Sequence, residues 1–313
     1  MAARLGVVRG EPLGAEAIAA RSRSALDRPL RLPAELWVAV ATEDATLLGA
    51  FQRAAGTARP RLLTRRGSGG PAVLVGPGTV HVGLSLEHPA AFGGADEARI
   101  VNRSVRPLLR GLGRVLGGTA TASYFGRDWV SVAHAPAAWV GFAHDAATRR
   151  TSFEAFVSVR TPFATDPRAS FRGREPRALE GVVGRAIDPS SVAEAIVEAY
   201  AREASEVVDL SSQPEDVSAP PGDLYMDPPW AATAEEAIGL VGAGPDAQGV
   251  FRVGGDWLVS RDAAARLEAA AATASLADLG ATVSGALRAP GVALDGVRSL
   301  ETVRRVIAAA RFP

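Results

Sequence analysis

Apolar and polar positions follow two rhythms along this chain. From residue 152 to 159 they alternate: Phe153, Ala155, Val157 and Val159 fall on one side, Ser152, Glu154, Phe156 and Ser158 on the other, the period of a pleated strand. With Ala137-Ala138-Trp139-Val140-Gly141-Phe142-Ala143-His144 before it, this segment predicts a hairpin. Short apolar runs predict strands over 36–40, 61–66, 71–75 and 79–86, the last broken by Pro89. The second rhythm is helical. Ile100, Val101, Val105, Leu108, Leu109, Leu112 and Val115 recur near a period of 3.6 and predict a helix over 96–116, kinked at Pro107 and ended by Gly117-Gly118. Strong helix formers predict another over 13–26, before Pro29. Asp188-Pro189-Ser190-Ser191 caps a third that runs to 206, with Val192, Ala195, Ile196, Ala199 and Tyr200 on one face.

The rhythm stops twice. Residues 160–189 are rich in Pro, Arg and Gly and read as a long loop. Residues 210–222, ending in Ala219-Pro220-Pro221-Gly222, read as a polar linker. This divides the chain into a unit over 1–209 and a smaller one over 223–313. The smaller unit is expected to hold a helix at 233–241, strands at 249–253 and 256–259, and helices at 261–273, 275–287 and 299–311. The predicted class is α+β: a mixed sheet with flanking helices, then a small, mostly helical C-terminal domain.

Composition narrows the chemistry. The 313 residues are 47% apolar, enough for a full core. Thirty-four basic residues balance 34 acidic ones, which argues against a nucleic-acid partner held by bulk charge. There is no cysteine, which removes thiol nucleophiles and thiolate metal sites. There is no lysine either, so every basic residue is arginine. No apolar run approaches the length of a membrane span, and Met1-Ala2-Ala3-Arg4-Leu5 lacks a hydrophobic signal core. The expected location is the cytoplasm, with no membrane partner.

The stretch Thr64-Arg65-Arg66-Gly67-Ser68-Gly69-Gly70-Pro71-Ala72-Val73 joins two arginines to a glycine-rich turn between strands. Glycines let a backbone approach a ligand closely. Their N–H groups can form an anion-binding concavity, and arginine forks take phosphate or carboxylate. The same pattern is also that of a surface hairpin with solvated arginines. Arg65 to Val73, with Gly78 and Ser85 downstream, resembles the signature of the lipoate–protein ligase family within the biotin/lipoate ligase superfamily. Pro71 stands where that family usually has a third glycine, and Val75 or Gly76 near where it has a histidine. Leu48-Gly49-x-Phe51-Gln52 upstream is similar to another family segment, and Gly126-Arg127-Asp128-Trp129 to its strand that opens Arg-Asn-Asp-Leu.

The resemblance implies an α+β ligase-like domain with an accessory domain after it. It implies ATP and Mg²⁺ as cofactors, lipoate or octanoate as ligand, an acyl-adenylate intermediate, and a lysine of a lipoyl domain as acceptor. The ligand site it implies comprises Arg65, Arg66, Gly67, Ser68, Gly69, Gly70, Val73, Val75, Gly78, Asp128, Trp139 and Gly141, with the adenylate loop over residues such as Arg172-Gly173-Arg174. The family's catalytic lysine falls on Ala137, Ala138 or Trp139, with Ala138 the best alignment, and none of these carries a charge. Two readings follow. Arg127, Arg149 or Arg150 supplies the missing cation, or the fold persists without the reaction and binds an acyl ligand or lipoyl domain as an adaptor. An arginine reaching over Ala138 favours the first, a slot plugged by Trp139 or Phe142 the second. His81, His88, His134 and His144 read as strand-end or loop residues without metal-ligand spacing. Ser68 reads as a hydrogen-bonding member of the glycine loop, with no His–Asp set to activate it.

Overall fold

The computed structural model describes residues 3–54, 62–126, 128–163, 174–211 and 227–312. Its centre is an eight-stranded mixed sheet. The strands are β1 (Arg4–Arg9), β2 (Ala34–Val40), β6 (Val80–Leu86), β7 (Ala122–Tyr124), β8 (Trp129–Val132), β9 (Ala135–His144), β10 (Thr151–Val157) and β11 (Glu206–Asp209), in the order β11-β1-β2-β6-β10-β9-β8-β7. The predicted hairpin is β9–β10, antiparallel, with Phe142 opposite Phe153, Gly141 opposite Glu154 and Trp139 opposite Phe156. β10 pairs with β6 on its other edge, setting Phe156 opposite His81.

One face of this sheet is covered by α2 (Ile100–Leu116) and α4 (Pro189–Ala201), and the short α3 (Leu179–Val183) interrupts the stretch expected as a loop before α4. Val105, Leu108 and Leu112 of α2 and Val192, Ile196 and Tyr200 of α4 join Phe153, Ala155 and Val157 in one buried apolar cluster. The helices meet closely at Gly111, where a Cβ would stand 2.8 Å from the Ile196 Cα. Pro107 lies inside α2 and is buried, and Gly117 ends the helix in the left-handed region at φ 57°. Asp188 caps α4 by accepting from the Ser191 amide at 3.0 Å. α4 stops at Ala201, short of the expected 206, because Glu206–Asp209 pairs in parallel with β1 as an edge strand.

The other face carries α1 (Ala15–Ser24) and a small sheet in the order β4-β3-β5, from β3 (Ala45–Leu48), β4 (Leu63–Arg65) and β5 (Val73–Val75). Leu47, Val73 and Val75 pack there on Trp37, Trp139 and Phe156. The alternation in β10 is therefore correct, yet its polar side is also covered, and Ser152, Glu154 and Ser158 are buried.

The C-terminal unit holds a three-stranded sheet, β12 (Ala232–Glu235), β13 (Leu240–Pro245) and β14 (Phe251–Gly255). A two-stranded pair follows, β15 (Leu258–Val259) with β16 (Leu294–Asp295), and three helices, α5 (Arg261–Thr273), α6 (Leu279–Leu287) and α7 (Leu300–Arg311). The helix expected at 233–241 is instead the β12–β13 hairpin, turned by Gly239 at φ 141°, a conformation that a helix cannot contain. Most of the proposed linker lies outside the described residues. Among the described residues no helix is long and apolar enough to cross a membrane.

Candidate functional site

The double arginine leaves β4 with its two side chains on different errands. Arg66 is 1% exposed. Its Nε donates to Ser68 Oγ at 3.0 Å, Nη1 to the Leu47 carbonyl at 2.7 Å, and Nη2 to the carbonyls of Gly69 at 3.0 Å and Pro71 at 2.6 Å. Burial pushes this guanidinium down to about 10, against the opposing pull of Glu154, Asp256 and Asp128. Arg65 points the other way. Its Nη1 donates to the carbonyls of Gly49, Ala50 and Gln52 at 3.0, 3.3 and 2.6 Å and so ties down the loop that follows β3.

The glycine-loop amides also bond to protein. The Gly67 N–H donates to Ser22 Oγ at 2.9 Å, the Gly69 N–H to the Phe142 carbonyl at 3.1 Å, and the Gly70 N–H to the Trp257 carbonyl at 3.2 Å. These glycines serve close packing. A Cβ on Gly69 would sit 2.6 Å from the Trp257 carbonyl oxygen, and one on Gly67 would collide with the Ser22 carbonyl of α1. Gly70 is at φ +94°, and a Cβ there would lie 2.7 Å from the Trp139 ring. A Cβ on Gly141 would strike the same ring. The Trp139 indole thus fills the slot between the glycine loop and β9, and the Arg66 guanidinium lies 4.0 Å over its ring centroid. Its Nε1–H is buried without an acceptor among the described residues.

Beneath the loop sits a buried polar centre that the sequence did not mark. Glu154 accepts from Ser22 Oγ at 3.0 Å and from Ser68 Oγ through Oε2, and its Oε1 lies 2.6 Å from His81 Nε2. Burial pushes the Glu154 carboxyl up, but His81, Arg66 and Ser68 together hold it below the ordinary carboxylate value. A carboxylate has no proton to give, so His81 Nε2 is the donor. His81 does stand near a strand end, as the second residue of β6, but it is buried and stacked on Phe156 at 4.6 Å between centroids. The only hint in the sequence was Glu154 within an otherwise apolar or small-residue strand.

At the level of sequence, no family model and no curated protein matches the chain. Solved structures do. P. falciparum LipL1 in complex with lipoate aligns at TM-score 0.63 and 11% identity, over 97% of this chain and 99% of that one. A bipartite lipoate protein ligase from Thermoplasma acidophilum, solved in a study of an archaeal lipoylation system with its E2 lipoyl domain, aligns at 0.54 and 15%, over 69% of this chain and 89% of that one. The chain has the fold of the lipoate ligases. At 97% coverage the likeness to LipL1 extends over the C-terminal strands and helices as well.

Within this lipoate-ligase-like fold the sequence-predicted residues are distributed as follows. Arg66, Gly67, Ser68, Gly69, Gly70, Trp139 and Gly141 come together around the slot. Val73 and Val75 lie behind it in the small-sheet core. Ala138 does not face it. Ala138 is fully buried in the cluster on the helix side, with Val140 and Phe142, because alternate residues of β9 point to opposite faces. The position on the slot side is Trp139, one residue on. Gly78 makes the β5–β6 turn at φ +88°. Asp128 is buried against the C-terminal unit, in a small recess with Ile238, Leu258 and Asp295. Arg149 and Arg150 are committed elsewhere, to Glu97 at 3.2 Å and to the Arg28 carbonyl at 2.8 Å. His144 does stand at a strand end, bonded to Thr151 Oγ1 at 2.9 Å and the Gly291 carbonyl at 3.0 Å. Arg127 and residues 164–173 of the expected adenylate loop lie outside the described residues.

Because the atom facing Gly69 is a backbone oxygen, Gly69→Ala is expected to lower stability by about 1–3 kcal/mol and to make the C-terminal unit easier to clip by protease. Gly113→Ala, on a helix face with nothing within 4 Å, is the matched control and is expected to stabilise by up to about 1 kcal/mol. Equal urea midpoints for the two variants would contradict this packing role.

Proposed function

We propose that this chain is a catalytically silent lipoate-ligase relative, an adaptor that docks a lipoyl-domain-type carrier without activating an acid. The observation that carries the reading is the Trp139 indole wedged between Gly70 and Gly141 with Arg66 stacked on it. Acyl activation needs a dry slot for the chain, donors for the phosphate and carboxylate, and a cation at the reacting centre. Here the slot is filled. The Gly67, Gly69 and Gly70 amides donate to protein acceptors, and Arg66 donates to four. The chain has no lysine, and neither Arg149 nor Arg150 reaches the slot. A lipoyl or octanoyl adenylate does not fit these residues as they are arranged.

The carrier part of the proposal is supported by the fold, since the T. acidophilum ligase of similar fold belongs to a lipoylation system described with its E2 lipoyl domain. ATP–pyrophosphate exchange with Mg²⁺, run separately with lipoate, octanoate and biotin, is expected to stay at the protein-free background. Exchange dependent on any one acid would overturn the silent reading. Fluorescence anisotropy of a labelled apo lipoyl domain is expected to show saturable binding, and none at high micromolar chain would remove the adaptor role.

A further inference from the structure

A cavity of about 520 Å³ opens on the side of β4 away from the Trp139 slot, between the loop after β3 and the first turns of α5. Four arginines line it: Arg53, Arg65, Arg252 and Arg261. Two of them are neutralised. Arg252 pairs with Asp246 at 2.9 Å and Glu268 at 3.1 Å, and Arg261 with Asp27 at 2.9 Å and Asp145 at 3.2 Å. The other two have no carboxylate in ion-pair contact among the described residues. Among the described residues Arg53 donates to the carbonyls of Pro228, Pro229 and Gly244, and lies 3.7 Å over the Trp230 ring. Arg65 uses Nη1 alone, on three loop carbonyls. Its Nε and Nη2 make no hydrogen bond to any described residue.

Those two nitrogens form the edge of a guanidinium that takes a carboxylate or phosphate through two parallel hydrogen bonds. The neutral carbonyls fix the fork by its other nitrogen, so it is held in place before any ligand arrives. Burial pulls both Arg65 and Arg53 below the ordinary arginine value, with Asp227 opposing, as expected for cations taken out of water without a close counter-charge. Asp227 and Glu268 are the acidic groups on the facing wall beside Asp246, and Glu268 and Asp246 are both engaged by Arg252.

We infer that this cavity is a binding site for a small anion bearing a phosphate or carboxylate group, which Arg65 grips through Nε and Nη2 with Arg53 as the second cation. The site is independent of the Trp139 slot and of whether the chain docks a carrier. Its position between the two units means that an occupant touches both the loop of residues 50–53 and α5.

Isothermal titration of the full chain with pyrophosphate, and separately with malonate, tests this. One saturable site is expected for at least one probe, and which probe binds identifies the phosphate or the carboxylate class. Arg65→Met, which keeps the stem and removes the fork, is expected to weaken binding by at least about tenfold, and Arg65→Lys by less. Ala265→Glu places a negative charge on the exposed α5 wall of the cavity without touching the loop contacts of Arg65. It is expected to fold with an unchanged melting temperature and to lose binding to a similar degree, so it carries the test alone if Arg65→Met does not fold. No heat with either probe up to millimolar concentration, or undiminished affinity in Ala265→Glu, overturns the site.

Discussion

Replacing Glu154 by Gln is expected to lower the unfolding free energy by about 3–5 kcal/mol. The carboxylate is 3% exposed and faces His81 at 2.6 Å, with Arg66 nearby and two serine hydroxyls donating to it. An amide of the same shape keeps two acceptor lone pairs but gives up the charge, and Arg66, itself 1% exposed, then stays buried without its counter-ion. The same group gives stability a pH dependence. Its folded value lies below its ordinary 4.5, so below about pH 4.5 the unfolded chain binds the proton more readily than the folded one. The contribution is fully present above that pH and is lost as pH falls through the folded value. Urea midpoints at pH 7 and pH 3.5 are therefore expected to differ for the parent and to differ less for Glu154→Gln. A variant within about 0.5 kcal/mol of the parent at pH 7 would show that the centre is not an ionic one.

Trp139→Ala is expected to have an effect of similar size by a different route. Removing a fully buried Trp side chain costs about 3–5 kcal/mol, and Arg66 also loses the ring face under it, an interaction of about 2 kcal/mol when desolvated. What remains is an apolar cleft between Gly70 and Gly141 bordered by Val73, Val75 and Phe156. Such apolar walls hold small apolar groups, and the Arg66 guanidinium that lay over the ring borders the cleft on one side. Octanoate is accordingly expected to raise the melting temperature of the variant and to leave that of the parent unchanged. If octanoate stabilises both proteins equally, Trp139 is not the plug and the silent reading loses its main support.

How far the sequence carried depends on the range of each interaction. The β9–β10 hairpin, α2 and α5 were legible because their signals are local: alternation, a 3.6 period, and caps. The double arginine and its glycine loop were legible as a unit, and with them the fold. Their roles were not, because the partners of Arg65 and Arg66 are mostly backbone carbonyls of Leu47, Gly49, Ala50, Gln52, Gly69 and Pro71, and a carbonyl leaves no trace in residue identity. The Glu154 centre draws on α1, β6, β10 and the glycine loop, so no window of sequence contains it. Among the three residues named for the lysine position, Ala138 and Trp139 point to opposite faces, because one residue on a strand exchanges one face of the sheet for the other. The 233–241 helix failed because helix propensity, even of strong formers such as Ala and Glu, is a weak preference that tertiary pairing overrides, here the pairing of β12 with β13.

The Gly70 N–H that bonds the Trp257 carbonyl sets an order on how the molecule is made. Roughly 190 residues separate donor from acceptor, so at ribosomal speeds of about 5–20 residues per second the glycine loop waits about 10–40 s for its lid. During that interval the first unit can pair its strands while the loop amide, the Phe51 carbonyl that accepts from the Gly255 N–H and the Arg65 fork all face water. Sealing of the loop is thus a late event of synthesis, and it coincides with the moment at which the cavity around Arg65 acquires its second wall.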